Sequence, residues 1–141
     1  MPKMIFVNLP VADVARATAF YEAIGFEKDA MFSNEQASAM VWSDAISVML
    51  LDRAFFQTFT PRSIADASNE TEVLICLSFD SREAVDAITE KAGAAGGSAD
   101  LRERQDMGFM YSRSFADPDG HIFEPMFMDM AVAQTAMAGA A

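Results

Sequence analysis

Few side chains in this sequence can do chemistry, and the best placed of them is Glu124. It closes the run Asp117-Pro118-Asp119-Gly120-His121-Ile122-Phe123-Glu124, in which a turn feeds directly into a strand. Pro118 presets φ for the first central turn position, and Gly120 accepts a positive φ without a Cβ clash. The strand from His121 to Met128 then alternates so that Glu124 shares a face with Ile122 and Met126. A carboxylate among apolar neighbours is costly unless paired, protonated or metal-bound. It therefore suits a general base, a metal ligand or a polar anchor for a ligand, with the solvated mouth of a groove as the bland alternative.

Three other groups compete for a role. His121 could bind a metal or act as a base, but in an extended strand it and Glu124 point to opposite faces. A turn-stabilising histidine, bonded to a neighbouring backbone group or to Asp117 or Asp119, is the better reading. Cys76 is the sole cysteine, so no intramolecular disulfide forms; without a neighbouring base it reads as a buried, inert thiol within a strand. Arg113 is the cation expected to meet an anionic ligand or Glu124, with a surface salt bridge as the equal alternative.

Positioning these groups takes a repeated scaffold. Met4 to Val11 reads as a buried strand, and Asp13 caps a helix with apolar positions at Val14, Ala17, Phe20, Tyr21 and Ile24 that Gly25 stops. Strands are expected at Phe26 to Ser33, Ala37 to Ser43 and Ile46 to Leu51. A linker over residues 53–71 carries Phe55, Phe56 and Phe59, which suggest a short packed helical piece. The order then recurs: a strand at Val73 to Phe79, a helix capped by Asp80 or Ser81 and running to about Ala92, and strands at Ser98 to Gln105, Phe109 to Phe115 and His121 to Met128. The offset from Asp13 to Asp80 also maps Ala17 onto Ala84, so each half is one βαβββ module. The expected fold is α+β: module 1 over residues 1–52, module 2 over 72–128 and an alanine-rich tail over 129–141 that frays. Two such modules bury their open faces by curling a mixed sheet around a trough.

Composition narrows the function. A chain of 141 residues is one domain, or two small halves sharing a core. A formal charge of −11 repels phosphate backbones and anionic bilayers, excluding nucleic acid and membrane surfaces as partners. There is no signal-like segment and no charge-free stretch of roughly 18 residues, so a cytoplasmic protein is expected. With 12 Phe and 11 Met, apolar surface is left over to line a cavity and a homodimer interface.

Asn8-Leu9-Pro10-Val11-Ala12-Asp13, Ala19-Phe20-Tyr21, Gly25-Phe26 and the closing Asp117-Pro118-Asp119-Gly120-His121 with Glu124 together resemble the vicinal oxygen chelate superfamily. That group holds glyoxalases, extradiol dioxygenases, bleomycin-binding proteins and fosfomycin-resistance enzymes, and the resemblance spans nearly the whole chain. It implies metal ligands at Phe6, at Val73 or Leu74, at Met49 and at Glu124. Only Glu124 has a ligating side chain there, so no metal cofactor is favoured. A weak all-oxygen site of Asn8, Glu72 and Glu124, suited to Mg²⁺ or Mn²⁺, is the alternative. The reading is a binder of a small, partly apolar or aromatic molecule, lined by Phe6, Asn8, Trp42, Met49, Leu51, Met110, Arg113, Phe115 and Met126. The alternative is a glyoxalase-like lyase or dioxygenase using a noncanonical metal or Glu124 as general base.

Overall fold

In the computed structural model, which describes residues 2–140 and side chains through residue 135, the first apolar run forms strand β1 (Ile5–Val11). Asp13 ends it and caps helix α1 (Val14–Ala23), its Oδ1 accepting from the Arg16 amide at 3.0 Å. Gly25, at φ 112°, carries the chain out of the helix where a side chain would strain the backbone. Strand β2 (Glu27–Asp29) stops well before Ser33. Asp29 accepts from the Met31 amide and the Ser33 hydroxyl donates to the Asp29 carbonyl, so a 3₁₀ turn over Ala30–Phe32 replaces the rest of the expected strand. Strands β3 (Ala37–Ser43) and β4 (Ile46–Asp52) follow, then the short helix α2 (Arg53–Gln57), capped by Asp52.

These elements make a first unit of Met1–Glu70 with Pro118–His121, whose sheet runs β1-β4-β3-β2 with β1 and β4 parallel. Alternation puts Leu9, Val11, Met40, Val48 and Leu50 on the face that α1 covers with Ala17, Phe20 and Tyr21, all buried. Rings of Tyr21 and Phe26 lie 5.2 Å apart, and those of Phe26 and Trp42 4.8 Å. Burying each such side chain contributes roughly 1.5–3 kcal/mol, which makes this cluster the anchor of the unit.

Pro118–His121 of the closing turn also belong to the first unit, and two of their side chains bond residues far back in the chain. The Ala12 amide donates to Asp119 Oδ1 at 2.9 Å, with Arg16 3.5 Å from the same oxygen. His121 Nε2 lies 2.7 Å from the Pro10 carbonyl, an acceptor, so Nε2 carries the hydrogen. Gly120, at φ 99°, sits so close to the linker that a Cβ would fall 2.6 Å from the Ala67 carbonyl oxygen.

The second unit, Thr71–Asp117 with Ile122–Ala141, opens with β5 (Ile75–Phe79) and helix α3 (Arg82–Ala94). Ser81, and not Asp80, caps the helix, its Oγ accepting from the Ala84 amide. The expected strand Ser98 to Gln105 is broken into β6 (Ser98–Ala99) and β7 (Gln105–Asp106), and the next into β8 (Met110–Ser112) and β9 (Phe115–Ala116). Strand β10 (Ile122–Met128) pairs in parallel with β5 and antiparallel with both β8 and β9. Along β10 the register is continuous: Met126 faces Ser112 and Phe123 faces Phe115. On the outer edge it is not, because Ser98 pairs with Ala116 but Gln105 with Ser112, so residues 100–104 bulge out. Helix α3 buries Val85, Ile88, Thr89 and Ala92 over Leu77, Phe115 and Phe123. The alanine-rich tail forms helix α4 (Met130–Ala140), started by Asp129 Oδ1 accepting from the Ala131 and Val132 amides.

Candidate functional site

Strand alternation sorts the nine expected lining residues. On the first sheet Phe6, Asn8, Met49 and Leu51 share the face opposite α1, with Asn8 in register with Met49. Phe6 and Asn8 are exposed, Met49 is half-buried and Leu51 buried. Trp42 does not join them: it falls on the α1 side, its ring on Phe26. On the second sheet Met110, Glu124 and Met126 share the face opposite α3, together with Cys76, Ser112 and Ile122.

Phe115 and Arg113 lie on the other side, away from the expected lining, and for Arg113 the salt-bridge alternative is the one seen. Phe115 is fully buried and stacks on Phe123 at 5.3 Å, so it is core. Arg113 meets neither Glu124 nor solvent. The residue is 2% exposed, and its guanidinium is bonded to Asp86 and Glu90 of α3 and to Asp100, at 2.7–3.0 Å. Odd positions along residues 110–116 face the helix, and a buried guanidinium there is tolerated only because carboxylates surround it. The Asp100 carboxyl is held below the usual carboxylate range by its bonds to Arg113. For Asp86, burial pushes upward, but bonds from Tyr111 and Arg113 outweigh it.

Glu124 is not solitary. Residue 102, on the bulge, supplies a guanidinium whose Nε and Nη2 donate to Glu124 Oε2 at 3.1 and 2.8 Å. Nη2 also donates to the Ser112 hydroxyl at 2.8 Å and Nη1 to the Glu103 carbonyl at 3.0 Å. Arg102 and Glu124 are 31% and 18% exposed, so the pair is shielded yet within reach of solvent. Cys76 Sγ approaches Glu124 Oε1 at 3.5 Å. Burial, then the neighbouring Glu124, pushes that thiol up, keeping it protonated and unreactive; it is more exposed than expected. Arg102 escaped the sequence reading because it was placed in mid-strand. The basic pair Arg102 and Arg104 inside an expected strand was the available signal.

The donor set does not fit the divalent ion used by metal-dependent relatives of this fold. Ser81, and not Asp80, corresponds to Asp13 as helix cap, which assigns the second-module ligand position to Leu74. Phe6, Met49 and Leu74 offer no hard donor, and Arg102 claims the carboxylate of Glu124. Among the described residues no three His, Cys, Asp or Glu side chains cluster as metal ligands. No helix of the described residues is long and apolar enough to cross a membrane.

Comparison with known proteins bears on the fold. The bleomycin resistance protein-like N-terminal family matches residues 3–40, the segment that carries β1, α1 and the glycine stop. None of the curated proteins matches in sequence. Among solved structures, a hypothetical protein from S. aureus, SA1046, superposes with TM-score 0.75 at 27% identity, over 90% of this chain and 94% of that one. A glyoxalase-related enzyme from Fulvimarina pelagi gives 0.74 at 21%, over 90% and 88%. TnmS3, an antibiotic binding protein from Streptomyces sp. CB03234, gives 0.63 at 21%, over 91% and 97%. The chain has the α+β fold of the vicinal oxygen chelate superfamily, as its motifs implied.

Proposed function

We propose that the protein binds a small, partly apolar or aromatic molecule on the Glu124 face of its second sheet, without the divalent metal of the superfamily's catalytic members. The carrying observation is the Arg102–Glu124 pair: the one retained ligand position is neutralised by an arginine of the same chain. Around it Met110, Ile122 and Met126 are half-buried and apolar, a lining that adapts to a flat or flexible ligand. An antibiotic binding protein of the same fold supports binding as a use of this scaffold. The protein acts as a cytoplasmic homodimer in this reading, its exposed Ile5, Phe6, Met31 and Phe32 providing apolar surface for association.

Calorimetric titration of an aromatic ligand panel into the wild type and Met126→Lys tests this. At least one ligand should bind, and the variant should weaken it at least about tenfold by placing a charge in the apolar lining. Equal affinity in both would move the site away from this face. The enzymatic alternative, with Glu124 as general base beside a carbonyl, requires the carboxylate to leave Arg102. An activity that survives unaltered in Glu124→Gln would remove it, and absence of stoichiometric metal in protein purified without chelator would remove its metal version.

A further inference from the structure

A buried hydroxyl beside Glu124 is left without a partner, and this specifies the ligand more closely. Four of the five Arg102 N–H groups are already bonded, leaving one on Nη1. On the acceptor side, the register that pairs Met126 with Ser112 and Phe123 with Phe115 sets Ser114 opposite Glu124 on the same face. Its hydroxyl is in a residue 1% exposed and has no hydrogen-bond partner among the described residues. A buried hydroxyl left this way costs stability, and a native fold keeps it when something else uses it.

We propose that Glu124, Ser112 and Ser114 form a receptor for a planar, donor-rich cation, an amidinium or guanidinium carried on an aromatic body, and that Arg102 is the internal stand-in this ligand displaces. The inference rests on the binding reading above and adds the charge and hydrogen-bonding class of the ligand. Arg102 is suited to leave. It sits on the bulge of residues 100–104, outside the ladder, and its side chain is 31% exposed. The guanidinium shows what the receptor recognises: two N–H bonds to one carboxylate oxygen and one to a serine hydroxyl. A chain charge of −11 favours a cationic ligand over a carboxylate one. The flanking Met110 and Met126 receive the aromatic body.

The test compares benzamidine with its neutral isostere benzamide and its anionic counterpart benzoate, by calorimetry on the full chain. Benzamidine should bind best. Arg102→Gln should tighten it by about tenfold or more, because the internal competitor is gone, and Glu124→Gln should abolish it. Ser114→Ala should weaken benzamidine severalfold while leaving the melting temperature unchanged or raised, a combination that a merely structural serine would not give. Arg102→Ala, checked by circular dichroism, repeats the test if the glutamine finds new bonds. Preference for benzoate, lost in Arg102→Gln, would overturn the proposal and make Arg102 an anion receptor. Equal binding of all three, unmoved by Arg102→Gln, would overturn it while sparing the apolar binding face. No binding of any probe at millimolar concentration to either protein would overturn the proposal, while the apolar binding face stands or falls by the aromatic panel and Met126→Lys.

Discussion

Two arginines exchange roles between sequence and structure, and strand parity is the reason. Arg113 stands at an odd position of residues 110–116 and turns toward α3, where Asp86, Glu90 and Asp100 receive it. Arg102 lies on a bulge that no periodicity announces, and there it is free to reach Glu124. Replacing Arg113 by Met should cost about 2–3 kcal/mol in urea unfolding, at the low end for a broken buried pair because the three carboxylates left behind are partly exposed. Asp86 and Asp100 have lowered folded pKa values, so their contribution is fully present above the ordinary carboxylate pKa of 3.8 and is lost as pH falls through the folded values. Acid unfolding of the wild type should therefore steepen below about pH 4, and the Met variant should show a flatter dependence there. An identical pH slope in both would contradict this. Glu124→Gln should cost about 1 kcal/mol, the upper end for a partly exposed ion pair, read by the same denaturation.

At the scale of elements, the first module was legible almost to the residue, because Asp13, Gly25 and the alternation of β3 and β4 each act locally. Where side chains bond their own backbone, legibility failed: Asp29 and Ser33 close a 3₁₀ turn, and β2 stops. The long strand expected over Ser98 to Gln105 failed for a tertiary reason, since the bulge is held by the Asp100 amide on the Ser114 carbonyl and by Asp100 on Arg113. The closing turn was recognised for its Pro and Gly, but its purpose is a dock: Asp119 takes the Ala12 amide and His121 the Pro10 carbonyl. Gly120→Ala should destabilise by about 3 kcal/mol or more, combining a positive φ with a Cβ driven into Ala67. Gly25→Ala, with a similar φ and open space around it, should cost only about 1–2 kcal/mol. Equal losses in chemical denaturation would show that the close approach to Ala67 carries no weight.

For the whole molecule, the acidic charge and apolar surplus were readable from composition, and they set what it can meet in solution. Residues such as Met31, at 84% exposure, and Phe32, at 65%, are poor company for water, and sedimentation at micromolar concentration should report a dimer. A monomer would remove the interface. The motif resemblance implies a fold whose catalytic members hold a metal, while Phe6, Met49 and Leu74 carry the proposal that this chain binds without one. One thermal-shift series decides between those inheritances: the full chain melted with the aromatic panel and, side by side, with Mg²⁺, Mn²⁺, Ni²⁺ and Zn²⁺. A ligand present at 100 times its Kd should stabilise by about 2.7 kcal/mol. A clear rise with an aromatic ligand and none with the ions is the expected result; a rise with a divalent ion and with none of the aromatics would contradict a metal-free binding face.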